Sequence, residues 1–182
     1  MYTGNGRKSL RLKRYNYSQA GAYFITICTH DRQCLFGNIS DRQMSLNKMG
    51  KIVEKEWTKT ALLRSNVQLD FFVIMPNHVH GIAIINKIRD CRKVSMGKAP
   101  YDSEHQFQSP SQTIGAIVRG FKSAVTRRIN ELKSRPDTKL WQRNYWERVI
   151  RNEAELYHIR EYIQNNPVSW ELDKLHPMND LR

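Results

Sequence analysis

The chain has 182 residues, 40% hydrophobic and 26% charged, a balance that excludes wholesale disorder and fits one globular domain. Thirty lysines and arginines against 17 acids leave a formal net charge of +13, and so basic a surface attracts polyanions, nucleic acid before others. No apolar run approaches the ~18 residues that span a bilayer, and no apolar segment follows the basic start as a secretory signal requires.

Cys28, Cys34 and Cys91 form no CxxC pair and leave an odd thiol, which reads as reduced cysteines. The expectation is a cytoplasmic protein with nucleic acid as its leading partner and no membrane partner.

In chain order, residues 1–20 form a basic N-terminal arm. Arg11, Lys13 and Arg14 cluster there, and the first acid in the chain is Asp31. The arm gains order on a polyanion or stays a solvated tail. Ala22–Thr29 is rich in β-formers and predicts a strand, and Cys34–Ile39 a second short one. From Leu46 the period changes. Met49, Ile52, Val53 and Trp57 fall on one face of an amphipathic helix ending near Leu63.

Val67–Met75 and His78–Ile85 predict two strands joined at Pro76-Asn77 as an antiparallel hairpin. A long polar loop occupies 87–110. Ser111–Lys133 predicts a second helix with Ile114, Ile117, Val118, Phe121, Val125, Ile129 and Leu132 in one stripe. Leu140–Ile150 reads as a strand or extended segment. Asn152 caps a last helix, with Glu153 and Glu155 in its first turn, and Pro167 ends it.

The order, roughly ββαββαβα, predicts an α+β sandwich of the ferredoxin-like or RNA-recognition type. Its helices cover one face of an antiparallel sheet and the other face is left for a site, with the C-terminal helix that bears Tyr162 placed against the strand of His78 and His80. The domain is expected over 21–170, with 171–182 as a C-terminal tail.

His78 and His80 are two apart in a strand pattern, so both side chains leave the same face and two imidazoles can converge on one divalent metal. Two half-exposed strand histidines would give the same spacing. On the last helix Tyr162 and Asn166 are i, i+4 and share a face. The amide oxygen of Asn166 can ligate a hard cation, and a phenol beside a metal is a usable nucleophile. A packing tyrosine and an ordinary Asn helix cap fit the same residues.

Taken jointly, these segments carry a resemblance. PNHVHG at Pro76–Gly81 resembles the HUH motif of the IS200-like single-tyrosine transposases. EYIQNNPV at Glu161–Val168 is similar to the tyrosine helix of their REP-associated group. AYFITICTHDRQCLF at Ala22–Phe36 and LWQRNYWERVIRNEAEL at Leu140–Leu156 resemble the flanking blocks, so the likeness runs from about Tyr15 to Trp170. It implies a ferredoxin-like fold and DNA transposition through cleavage and rejoining of single-stranded or hairpin DNA. It further implies a divalent metal ion (Mg2+ or Mn2+) and a covalent 5′-phosphotyrosine intermediate. By position, His78 and His80 match the paired metal ligands, Tyr162 the nucleophile and Asn166 the third ligand, with its neighbour Asn165 an alternative. Whether the chain acts as a monomer or homodimer stays open.

Other residues have weaker readings. Lys122, Arg127 and Arg128 line a phosphate track or a solvated basic face. Trp141 and Tyr145 interleave with Arg143, an arrangement suited to stacking on unpaired bases; at least one Trp of this block belongs to a core. His158 lies i−4 from Tyr162, within reach as a base, or is simply an exposed helix residue. A non-catalytic single-stranded DNA or RNA-binding module, and a hydrolase using water instead of Tyr162, are the competing function classes.

Overall fold

The computed structural model describes residues 19–87, 113–133 and 139–181. β1 (Gly21–Cys28) leads into a small hairpin, β2 (Gly37–Ser40) and β3 (Gln43–Leu46), and then α1 (Lys48–Leu62). β4 (Val67–Ile74), β5 (His78–Ile85), α2 (Ile114–Lys133), β6 (Trp146–Ile150) and α3 (Glu153–Asn165) follow, with a 3-10 turn at Trp170–Leu172. The main sheet is antiparallel in the order β4-β5-β1-β6. Setting the small hairpin aside, the chain runs βαββαβ, and its sheet has the strand that begins the domain beside the one that ends it, the ferredoxin-like arrangement. The expected α+β class is what the molecule adopts.

Alternation along β1 builds two cores. Tyr23, Ile25 and Ile27 are fully buried and face α1 and α2, where Val53, Trp57, Ile117, Phe121 and Val125 meet them. Burying such a side chain contributes about 1.5–3 kcal/mol, which makes this layer the main source of stability. Phe24, one residue out of phase, faces the other way and packs with Ile82, Ile150, Ile159 and Ile163. α3 therefore lies on the sheet face left for a site, against the strand of His78 and His80, where it was expected. Two ion pairs hold it across the strands: Arg148 of β6 to Glu155 at 2.6 Å, and Arg160 to Asp70 of β4 at 2.5 Å.

Local capping follows the sequence. Asn47 accepts the amides of Met49 and Gly50 at the start of α1, and Asn152 accepts that of Glu155 at the start of α3. The Glu155 carboxylate returns the contact to the Arg151 amide at 2.9 Å. The first bond satisfies a helix-end donor, and the second ties down the residue that precedes the cap.

Several expectations are corrected. The strand expected at Cys34–Ile39 begins at Gly37 and pairs with β3, an unforeseen strand, through the two-residue loop Asp41-Arg42. Both loop residues have positive φ, 50° and 62°. Such turns usually carry Asn-Gly or Asp-Gly, and an arginine hides one. Leu132, placed in the apolar stripe, is exposed in the last turn of α2, beyond Ile129, the last buried residue of that stripe. Of the strand or extended segment expected over Leu140–Ile150, Trp146–Ile150 is strand, and before it the chain is irregular apart from an isolated bridge between Trp141 and Thr29. The basic arm to residue 18 and most of the 87–110 loop lie outside the described residues. Among the described residues no helix is long and apolar enough to cross a membrane.

Candidate active site

The site stands on the β1–β5 pair. In register Thr26 faces His80 and Cys28 faces His78, so both imidazoles leave the α3 face while Val79 between them is buried in the opposite core. The two rings lie 4.4 Å apart, centre to centre. Both are buried, His78 completely. Burial pushes the His78 pKa down to about 4, with Asp173 and Asn166 opposing. It pushes His80 well down as well, with the neighbouring His78 adding to the shift. Both rings are therefore neutral at pH 7, the state that a metal ligand requires.

α3 delivers the other groups. Leu156, Ile159, Ile163 and Asn166 follow the spacing 3-4-3, one stripe against the sheet. Asn166 is thus buried at the end of an apolar face, while Asn165 is exposed. Tyr162, at the edge of that face, is 46% exposed. Its hydroxyl sits 3.2 Å from His80 Nε2, and its ring packs edge-on to Phe24 at 6.0 Å. Burial and the Asp173 charge raise the Tyr162 pKa, so the hydroxyl keeps its proton.

One residue was missed. Asp173 lies beyond the expected domain end at 170, yet it forms with His78 and His80 a set whose ligand atoms all lie within 4.8 Å of one another. Buried Trp170 brings the chain back against His78, with ring centres 6.0 Å apart. The 3-10 turn then closes as the Asp173 amide donates to Trp170 O. Asn166 Nδ2 donates to Asp173 Oδ2 at 3.2 Å, and the Leu175 amide donates to Oδ1 at 2.7 Å. An acid soon after Pro167 and an aromatic was the available signal, but nothing local says that the chain turns back.

Two atoms decide whether a cation fits. His78 Nε2 and Asn166 Oδ1 are buried and have no hydrogen-bond partner, although buried polar atoms are nearly always paired. With the Asp173 carboxylate and His80 they make a mixed nitrogen and oxygen donor set, which suits a divalent cation.

Beside the cluster opens a cleft of about 910 Å3, bordered by Phe24, Tyr145, Trp146, Arg148, Tyr162 and Leu172. Trp146 is 40% exposed and edge-on to Phe24. Tyr145 borders the cleft and donates its hydroxyl to Glu147 at 3.0 Å. Arg143 is exposed. His158 is exposed at the rim, 3.7 Å from Glu161.

The remaining basic and aromatic candidates are elsewhere. Lys122 donates its ammonium to Gln142 O and Asn144 O, both at 2.8 Å. Burial lowers its pKa to about 8, and it clamps the loop before β6. Arg127 pairs with Glu131 and Arg128 with Glu56 on the far side of the sheet. Trp141 packs between Phe36 and Phe121 and donates to Lys122 O, so it is the core tryptophan of its block. Basic and aromatic residues next to one another in sequence do not reveal which face each one reaches. Arg11, Lys13 and Arg14 lie outside the described residues.

No protein-family model matches the sequence. An uncharacterized protein of Haemophilus influenzae is 44% identical over 174 residues, 93% of either chain. This chain belongs to that protein's family. The fold is similar to that of a REP-associated tyrosine transposase solved bound to a REP hairpin, with a TM-score of 0.58 and 19% identity over 90% of this chain and 76% of that one.

Proposed function

We propose that this protein cleaves and rejoins single-stranded or hairpin DNA, with Tyr162 as the nucleophile, in DNA transposition. The observation that carries the reading is the Tyr162 hydroxyl, 3.2 Å from His80 Nε2 at the mouth of a cleft in a chain of net charge +13. The fold likeness to a transposase holding a DNA hairpin supports it.

His78, His80, Asp173 and Asn166 would hold a divalent cation. Between Mg2+ and Mn2+, two imidazoles favour Mn2+, since Mg2+ prefers an all-oxygen shell. Bound there, the cation supplies Lewis-acid charge to a phosphodiester oxygen. The chain's own residues do the rest. Phe24 and His80 hold the phenol, and Trp146 offers a face for an unpaired base. The Tyr162 oxygen forms a bond to phosphorus as the bond from phosphorus to the 3′-oxygen breaks, and the phenolic proton passes through solvent to that oxygen, which leaves as a 3′-hydroxyl. One phosphodiester replaces another, so the step reverses on a new 3′ end without an energy source.

Tyr162→Phe keeps the ring and removes the oxygen. The variant is expected to bind hairpin DNA with near-normal affinity and to lose cleavage. DNA labelled 3′ of the cut stays on the wild-type protein through denaturing electrophoresis, on the Tyr162 peptide. Free product alone marks a water-using hydrolase, binding with no product marks a binding module, and an adduct on Tyr145 or Tyr157 makes the nucleophile assignment wrong.

A further inference from the structure

We propose that Asn77 is the positioning residue of this site: one side chain holds His78 in the Nδ1–H tautomer and anchors the segment that carries Asp173. Only the metal-binding arm of the test below rests on the cation reading above.

Asn77 is fully buried in the turn between β4 and β5. Its side-chain nitrogen donates to Leu175 O at 2.7 Å and to Arg32 O at 3.0 Å. Both amide hydrogens are used, and exchanging nitrogen for oxygen would set an oxygen against two carbonyls. The amide oxygen therefore faces His78 Nδ1, 2.7 Å away. An amide oxygen only accepts, so Nδ1 carries the ring proton. The lone pair is left on Nε2, the buried atom without a partner.

His80 is held differently. Its Nδ1 meets the Thr26 hydroxyl at 2.8 Å and its Nε2 the Tyr162 hydroxyl, and a hydroxyl both donates and accepts. One imidazole is locked and the other is free to exchange tautomers.

The same turn fixes the carboxylate. Leu175 O is held by Asn77, and the Leu175 amide donates to Asp173 Oδ1. The Asn77 carbonyl in turn accepts the Thr29 amide and hydroxyl at 2.9 and 3.0 Å. β1, β5 and the segment after α3 thus meet at one residue, beside both His78 and Asp173.

The test uses the full chain with 15N-labelled histidine. Long-range 1H–15N correlation is expected to show the Nδ1–H tautomer for His78 in the wild type; an Nε2–H ring would overturn the proposal. Asn77→Leu keeps the branched shape and removes all three side-chain bonds. It is expected to mix the His78 tautomers and weaken Mn2+ binding, measured by paramagnetic resonance, by ~10–100-fold, the usual cost of losing the partner behind a ligating histidine. A folded Asn77→Leu with unchanged tautomer and Mn2+ affinity would make Asn77 merely structural. Should that variant not fold, the wild-type spectrum decides alone. Absence of Mn2+ binding by the wild type would sink the cation reading, and the tautomer would still decide the role of Asn77.

Discussion

Asn166 gives its side-chain N–H to the Asp173 carboxylate at 3.2 Å, which leaves its amide oxygen buried and unpaired beside an acid that the chain reaches only by reversing after α3. If this pair forms one side of a cation site, Asp173→Asn removes its charge and disorients Asn166. Mn2+ affinity is then expected to fall more than ~10-fold, measured by calorimetry on a variant that circular dichroism shows to be folded. An unchanged affinity would take Asp173 out of the site.

The metal-free chain is expected to lose stability in acid. Burial holds the His78 pKa at about 4 against an ordinary value of 6.5. Between those values the unfolded chain binds a proton that the folded chain does not. Stability therefore rises with pH through the window, is complete above about 6.5 and is lost as pH falls toward 4. Buried His80 adds to the slope in the same sense, so urea midpoints at a series of pH values are expected to show it and His78→Gln to reduce it without removing it. An equal slope in the variant would assign the effect to another group.

Gly81 follows His80 directly, and fully buried Trp57 lies against it. A Cβ at Gly81 would come within 2.4 Å of Trp57 Cζ2 and 2.9 Å of Cε2. Gly81→Ala must displace the indole or push β5 away, and overpacking of this kind costs about 1–3 kcal/mol. The measurement is thermal unfolding, with an expected fall of at least ~2 °C. No change would mean that the indole gives way at no cost.

Trp141 and Trp146 are five residues apart and are expected to fail differently. Trp141→Ala empties space between Phe36 and Phe121, and a large-to-small change there costs about 3–5 kcal/mol of stability. Trp146→Ala leaves stability nearly intact and weakens single-stranded DNA binding by about 1–3 kcal/mol, the worth of one base–aromatic stack. Chemical denaturation and fluorescence anisotropy separate the two. A loss of DNA affinity confined to Trp141→Ala would reverse the assignment.

Most elements could be read locally. β1, β4, β5, α1, α2 and α3 follow from apolar period, Asn caps and the stop at Pro167, because those signals act within one or two turns of chain. The β2–β3 hairpin escaped because Asp41-Arg42 is a poor sequence marker for a positive-φ turn. Asn166 was separable from Asn165 in principle, since only Asn166 continues the stripe of Leu156, Ile159 and Ile163.

Period 2 in the HVH segment determined that His78 and His80 leave one face of a strand, and the i, i+4 spacing determined that Tyr162 and Asn166 lie a turn apart on one helix. That α3 crosses the same sheet face as the histidines, with its tyrosine at His80, was settled by pairing through space, by the Phe24–Ile163 core and the ion pairs to β4 and β6. So was the return of Asp173 under Trp170, the burial of the Lys122 ammonium and the inward turn of Trp141. Periodicity is a property of neighbours along the chain, whereas these contacts join residues tens of positions apart or depend on which layer a side chain enters, and only the packed layers decide that.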